Sequence, residues 1–419
     1  MKILWITNSI FPEATILLTG EGESKETGGW VLGAADSLLN SDRDVELHVA
    51  SVSKLVNSFT TLAGVRISHH IIPYGKGNIK YNSSYEKYWC QIKELVHPDI
   101  VHIHGTEFSH GLAYLNACGS DRVVVSLQGI KSGIAPFYCA GLTKSQIYLN
   151  TTFRDIIRGN IYSEQRRFYQ SGEIEKEILR RVKHIIGRTS WDRVHSWAIN
   201  PEAQYSFCNE TLRTEFYDGS IWNYAKCEKH TIFLSQAGYP LKGLHQVLRA
   251  MPLILRVYPD AKIKVAGADI TRYSTLRDKL RISGYGKFIR GIINRMHLEN
   301  RIEFLGPLNA LQMKQAYLNS NVFVCPSSIE NSPNSLGEAQ ILGVPCVASY
   351  VGGVPDMMVG DEGNLYRFEE VNMLAEKICK IFADGALQKD MVAIARQRHL
   401  RDMNAKHLMK IYNQIIESK

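Results

Sequence analysis

The chain has 419 residues, of which 45% are apolar and 21% charged, with a formal net charge of +8. These values exclude a disordered or fibrous chain, and the length calls for two domains of roughly 200 residues rather than one core. The eight cysteines are scattered without a C-x-x-C pair, which argues against a zinc site or a disulfide framework and fits a reducing, cytoplasmic setting.

No run of eighteen apolar residues occurs. The opening MKILWITNSIF has one Lys and no small-residue cleavage site, so it reads as a first buried strand (2–7) rather than a leader. A long polar loop, Asn8 to Thr27, precedes Gly28-Gly29 and a helix patterned WVLGAADSLL. Strand, glycine turn and helix are how a doubly wound α/β domain opens. Further strands are expected over 45–51, 65–71, 99–105 (DIVHIHG), 122–129 and 182–190 (VKHIIGRTS), the last of this half. The first domain is placed at 1–218. Residues 219–229 form a polar connector. A second series of strands follows at 230–238, 261–268, 301–306, 321–326 and 345–353, with helices between most of them. These make a second doubly wound domain over 219–399. The segment 388–418 is helical and amphipathic. Its last part, about 400–419, either stays on the second domain or packs back on the first.

The positive charge is uneven. Ten Lys/Arg against three acidic residues fall between Lys262 and Arg301, and a second basic stretch from Arg154 to Arg193 is interleaved with apolar residues. Such stretches suit phosphorylated ligands or an anionic membrane surface, or they are solvated faces. No nucleic-acid-binding motif accompanies them, so no nucleic-acid partner is expected.

Ligands of open parallel sheets bind beyond the carboxyl ends of the strands. That rule gathers His104, Gln128, Ser190, Lys242, Glu330 and Gly352-Gly353. His104 follows a strand, as an acid/base or acceptor-binding group or as a satisfied polar residue; His102, on the same face but deeper, reads as structural. Lys242, in GYPLKG, stands at a helix start and suits a diphosphate, though a surface lysine is the commoner case. Glu330 and Glu338 sit eight positions apart around CPSSIENSPNSLGEAQ. Ser335 and Glu338 have the S-x-x-E spacing of a capping box, so amides near Asn334 to Gly337 are expected to face outward, toward an anion. No P-loop is present, and no G-x-G-x-x-G follows a strand, which weakens a nicotinamide enzyme.

Taken together, DIVHIHG (99–105), GRTSWDR (187–193), GYPLKG (238–243) and the Glu330-x7-Glu338 pair followed by GGVPD (352–356) resemble, in that order, a family 4 glycosyltransferase of the GT-B fold. The resemblance covers nearly the whole chain. It implies two Rossmann-like domains facing a central cleft, and transfer of a sugar from a nucleotide-sugar with retention of configuration. The nucleotide-sugar is a co-substrate, and neither a cofactor nor an obligatory metal is implied. Glu330 would accept from donor-sugar hydroxyls, with backbone at Asn334, Ser335 and Leu336 around the sugar and diphosphate. Glu338 would hold the ribose, Lys242 would neutralise the leaving diphosphate, and His104 would contact the donor sugar. Gly28 and Gly29 would let backbone approach the phosphates. One position departs from the family: where an Arg usually precedes the Lys, this chain has Gln236 and Ala237. Arg188, Arg213 and Arg272 are the candidate replacements for that charge.

The function expected is glycosyl transfer to a glycan or lipid-linked acceptor in cell-surface polysaccharide assembly, in the cytoplasm or at the inner face of the membrane. For a lipid-linked acceptor, the stretch Phe153 to Phe168 and the apolar loop Ile134 to Leu142 would rest on the bilayer. A nucleotide-sugar epimerase on the same fold and a catalytically silent scaffold subunit are the alternatives.

Overall fold

Short apolar strands, most of them buried on both faces, build two parallel sheets. The computed structural model describes residues 1–20, 29–75, 81–384 and 389–418. The first sheet contains β1 (Lys2–Thr7), β2 (Glu46–Ser53), β3 (Thr60–Ala63), β4 (Ile67–Pro73), β5 (Ile100–His104), β6 (Val123–Ser126), β7 (His184–Gly187) and β8 (Gln204–Phe207). Their spatial order is β3-β4-β2-β1-β5-β6-β7-β8, and only β3 runs antiparallel to its neighbour. The second sheet contains β9 (Glu228–Leu234), β10 (Lys262–Val265), β11 (Ile302–Phe304), β12 (Ser320–Cys325), β13 (Cys346–Ser349) and β14 (Leu365–Tyr366). Its order is β11-β10-β9-β12-β13-β14, parallel throughout. In both sheets the order reverses beside the first strand, between β1 and β5 and between β9 and β12. Crevices for ligands form at such reversals.

Alternation along β1 serves two layers at once. Leu4 and Ile6 face a core with Trp89, Tyr114 and Ile178, whereas Ile3 and Trp5 face one completed by helices Gly29–Ser41 and Arg401–Glu417. The C-terminal helix is tied in by polar contacts as well. Trp5 Nε1 donates to Tyr412 Oη at 3.0 Å, and that hydroxyl meets His102 Nδ1 at 2.6 Å.

The chain divides into two units: Met1–Gly133, Arg167–Leu212 and His399–Lys419 in one, Ile134–Arg166 and Arg213–Arg398 in the other. The second unit thus takes a piece of first-half sequence. Leu142 and Ile147 lie in its core with Ile232, Val247 and Tyr285. The carbonyl of Ala140 lies 3.0 Å from His245 Nε2, and Thr152 Oγ1 donates to the Ile282 carbonyl at 2.8 Å. The loop expected on a bilayer, Ile134 to Leu142, is therefore mostly interior: Ala135, Tyr138, Ala140 and Leu142 are all buried. Leu142, with Cys139 packed beside it, serves a protein core, while Phe137 stays half exposed.

Three further expectations change. The polar loop from Asn8 holds a helix, Pro12–Thr19, with Pro at its first position and Gly20 closing it in the left-handed region. The strand at 184–187 is not the last of its sheet, since β8 follows. The connector before β9 is anchored rather than loose: Trp222 is buried, and its indole N–H donates to the Ser320 carbonyl at 2.7 Å.

Candidate active site

At the reversal of the second sheet, the loops after β9 and β12 abut. Gly243 has φ +68°, and a Cβ there would overlap the Pro326 carbonyl, so only glycine lets the two backbones approach this closely. The 3-10 turn Pro240–Lys242 before it aims Lys242 across the gap. Lys242 Nζ donates to Glu330 Oε1, which also accepts from Ser327 Oγ at 2.8 Å. Burial works against the ammonium charge, but the Glu330 carboxylate more than offsets it and pushes the lysine well above its ordinary value. Gly353 N–H donates to the Glu330 carbonyl at 3.0 Å. Gly352, at φ +52°, leaves room for that carbonyl where a side chain would strike it.

The opposite wall is the helix Asn334–Ile341. Its N-cap is Pro333 and the expected Ser335–Glu338 capping box does not form. The Pro333 carbonyl accepts from Leu336 and Gly337 amides at 2.9 and 3.3 Å, and the Ser335 carbonyl accepts from Tyr317 Oη at 2.9 Å. Glu338 turns instead to Arg213, in a two-pronged pair: Nε to Oε1 at 2.7 Å and Nη2 to Oε2 at 2.8 Å. A charge-assisted fork of this kind outcompetes a single carboxylate–amide contact. Burial pushes the Glu338 carboxyl up against the pull of Arg213, whose guanidinium also lies 4.9 Å from the Phe216 ring.

Between these walls lies a cavity of about 300 Å³ lined by Arg213, Gln236, Lys242, Glu330, Asn334 and Glu338, among others. The structure thus brings together Lys242, Glu330, Gln236, Asn334, Ser335 and Glu338. Leu336 is fully buried beneath them, its amide already bonded to Pro333. Of the three arginines considered for the missing charge, Arg213 reaches the cavity but is committed to Glu338. Arg188 lies in the other unit, donating to the carbonyls of Leu127 and Gln128 and paired with Glu210. Arg272 is exposed and outside the lining.

In the first unit the reversal lies between β1 and β5. His104 ends β5, buried, its ring stacked on His102 at 3.8 Å and edge-on to Trp5 at 4.3 Å. Burial pushes its pKa down to about 3, so it is neutral at ordinary pH. It lines a cavity of about 50 Å³ with Trp30, Arg188 and Leu408. Gly29 opens the helix Gly29–Ser41, and Gly28 lies outside the described residues.

Two residues not anticipated from sequence span this same reversal. Asn8, just past β1, donates from Nδ2 to Glu107 Oε2 at 2.7 Å, and Lys131 Nζ donates to the Glu107 carbonyl at 2.9 Å. Buried Glu175 fixes this edge by accepting from Thr106 Oγ1 and from the Lys131 and Ser132 amides at 2.8 to 3.1 Å. Burial pushes the half-covered Glu107 carboxyl up to about 7. The available signal was a carboxylate two residues beyond a strand-end glycine, in HIHGTE.

Residues 222–398, which contain Gln236, Lys242, Glu330 and the helix Asn334–Ile341, match the family described as glycosyl transferases group 1. Over that stretch, less than half of its length, the chain is similar to the group 1 glycosyl transferases. It is 24% identical over 195 residues to an uncharacterized glycosyltransferase of Methanocaldococcus jannaschii, covering 45% of this chain and 46% of that protein. It is also 24% identical over 164 residues to a GDP-mannose-dependent monoacylated alpha-(1-6)-phosphatidylinositol monomannoside mannosyltransferase of Corynebacterium glutamicum, covering 38% and 39%. The chain therefore spans less than half the length of these curated relatives. Sucrose-phosphate synthase from Thermosynechococcus elongatus shares the fold over 100% of both chains, with a TM-score of 0.70 at 15% identity. The two sheets are those of the GT-B fold. The stretch shared with the group 1 family includes the cavity of the second unit except Arg213, and excludes Gly28, Gly29, His104, Asn8 and Glu107.

Proposed function

We propose that this protein is a group 1 glycosyltransferase acting with retention, which moves a sugar from a nucleotide-sugar to a glycan or lipid-linked acceptor, in cell-surface polysaccharide assembly on the cytoplasmic side of the membrane. The observation that carries the reading is the Lys242–Glu330 pair at the strand reversal of the second sheet, facing a cavity of about 300 Å³. An incoming diphosphate separates the pair. Lys242 turns to the phosphate oxygens, and Glu330, still held by Ser327, accepts from sugar hydroxyls. Glu338, fixed by Arg213, keeps lone pairs for ribose hydroxyls, since a carboxylate has about four acceptor positions and the guanidinium uses two.

Charge grows on the leaving phosphate as the bond to the sugar carbon breaks, so the Lys242 contact strengthens toward the transition state and accelerates the step. The acceptor oxygen bonds to that carbon from the face the phosphate leaves, and its proton passes to the departing phosphate oxygen. No protein nucleophile takes part. Charge neutralisation is assigned to Lys242 rather than to a metal, and the rate is expected to be unchanged by EDTA.

A panel of UDP-, GDP- and ADP-sugars tests the donor site by thermal stabilisation: a ligand at about a hundred times its Kd adds roughly 2.7 kcal/mol. The anomeric configuration of the product, read by NMR, tests retention. Absence of stabilisation by every donor, or an inverted product, overturns the proposal. One observation favours a second reading. With Gln236 and Ala237 in place of an Arg, and Arg213 committed to Glu338, Lys242 is the remaining cationic side chain among the described residues of the lining. A silent nucleotide-binding subunit would show stabilisation without donor turnover, and neither Lys242→Ala nor Glu330→Ala would alter its background hydrolysis.

A further inference from the structure

An amphipathic helix ordinarily buries its apolar stripe and gives its charges to water. Two neighbouring helices of the second unit do the reverse. In Phe153–Arg158 the buried residue is Asp155, whose carboxylate accepts from the Gly284 amide at 2.8 Å and the Thr152 amide at 3.1 Å. Phe153, Ile156 and Ile157 are left 57%, 76% and 66% exposed. The helix Leu276–Arg281, packed against it, buries none of its residues and presents Leu276 and Leu280 to water. Tyr148 and Leu149, just before the first of these helices, are exposed too, and Lys287 of the helix Gly284–Arg295 donates to the Leu149 carbonyl at 3.2 Å. Both helices are held by caps and buried polar bonds, so their apolar side chains are not needed for docking to the fold.

The exposed charged side chains of the two helices themselves are all basic. Arg158, Arg277, Lys279 and Arg281 are exposed there, and Lys144 and Lys287 outside them. The acidic residues of the two helices, Asp155 and Asp278, are both spent as capping-box partners. We propose that the face formed by Phe153–Arg158 and Leu276–Arg281 docks on an anionic lipid bilayer. Apolar tips enter the boundary between headgroups and acyl chains while the ring of cations meets anionic headgroups, and each cation near such a surface adds to the attraction. A second copy of the chain would oppose cations to cations. The proposal is independent of the donor site; it drops the 134–142 loop, keeps the start of the Phe153 to Phe168 stretch and adds to it a helix far away in sequence.

The test is cosedimentation of the full chain with vesicles of phosphatidylglycerol and phosphatidylcholine in equal parts, against phosphatidylcholine alone, at low salt. The wild type is expected to bind the anionic vesicles at least tenfold more tightly than the neutral ones. The Ile156→Glu/Ile157→Glu variant is expected to lose at least tenfold of that binding, with Tm and donor-induced stabilisation unchanged. Leu276→Glu/Leu280→Glu provides the same readout from the other helix. No wild-type binding to anionic vesicles, or full binding by both variants, overturns the proposal. A wild-type dimer that either variant converts to monomer also overturns it, assigning the face to self-association.

Discussion

Lys242 and Glu330 neutralise each other; on the proposed reading a bound donor gives Lys242 phosphate as its counter-charge and leaves Glu330 with neutral sugar hydroxyls. Lys242→Gln removes the charge that stabilises the leaving phosphate, and turnover is expected to fall about 10²–10³-fold, the scale of losing one transition-state donor. Single-turnover kinetics with saturating donor would separate this from weaker binding. Arg213→Met should act on stability. It strands the Glu338 carboxylate in a buried site, a change that costs about 3–5 kcal/mol, and Glu338→Gln in the same chain should restore part of it. Urea denaturation of the single and the double variant measures both effects. Glu107 carries a pH signature. Its carboxyl titrates near 7 when folded but near the ordinary carboxylate value when unfolded, so the folded state binds the extra proton between those limits. Its contribution is present in full below the unfolded value and lost as pH rises through about 7. The Tm of wild type minus that of Glu107→Gln is therefore expected to fall from pH 5 to pH 8.

The strand-end rule pointed to Lys242 and Glu330 and the order of short motifs added Glu338, and the structure gathers the three around one cavity. The true partner of Glu338 was not readable from sequence. Spacing alone pointed to Ser335, three residues away, whereas Arg213 lies 125 positions earlier and outbids the local cap. Glu107 was passed over because its pairing with Asn8 exists only once β1 and β5 lie side by side.

Among elements, the legible ones are those whose pattern is long or uninterrupted. The central strands β1, β5, β6, β9 and β12 show as runs of apolar residues because both faces are covered. β3, β8 and β14 escape notice for the opposite reason: they are two to four residues long and lie at sheet edges, and Gln204–Phe207 has no fully buried residue. The helix Pro12–Thr19 carried its own signals in Pro12 and Gly20, but the polar residues around it were a stronger cue to a loop. The helix Arg401–Glu417 was legible as amphipathic, while its destination was not. Tyr412 decides the destination by filling a site against Trp5 and His102. Tyr412→Phe should leave the buried Trp5 indole N–H without its acceptor, lowering stability by about 1–3 kcal/mol in a denaturant titration.

At the scale of the whole molecule, two doubly wound sheets were readable from the alternation of strand and helix patterns, but their division along the chain was not. Hydrophobic pattern says that Leu142 and Ile147 are interior without saying which interior. The units exchange chain after residues 133, 166, 212 and 398, so each is assembled from separated pieces. A fragment ending at residue 218 would lack the helix that covers Ile3 and Trp5, and is expected to aggregate or to bind a hydrophobic dye when made alone, as light scattering or dye fluorescence would show.

The return of Arg401–Glu417 to the first sheet also sets a schedule for biosynthesis. A ribosome adding about 5–20 residues per second needs roughly 10–40 s to go from Phe207, the end of the first sheet's last strand, to Glu417. For that interval the nascent first sheet has been made but one of its sides is still bare. The protein is thus expected to depend on holdase chaperones during translation, and a stop codon anywhere before the last helix leaves a sticky product for proteolysis rather than a smaller working enzyme.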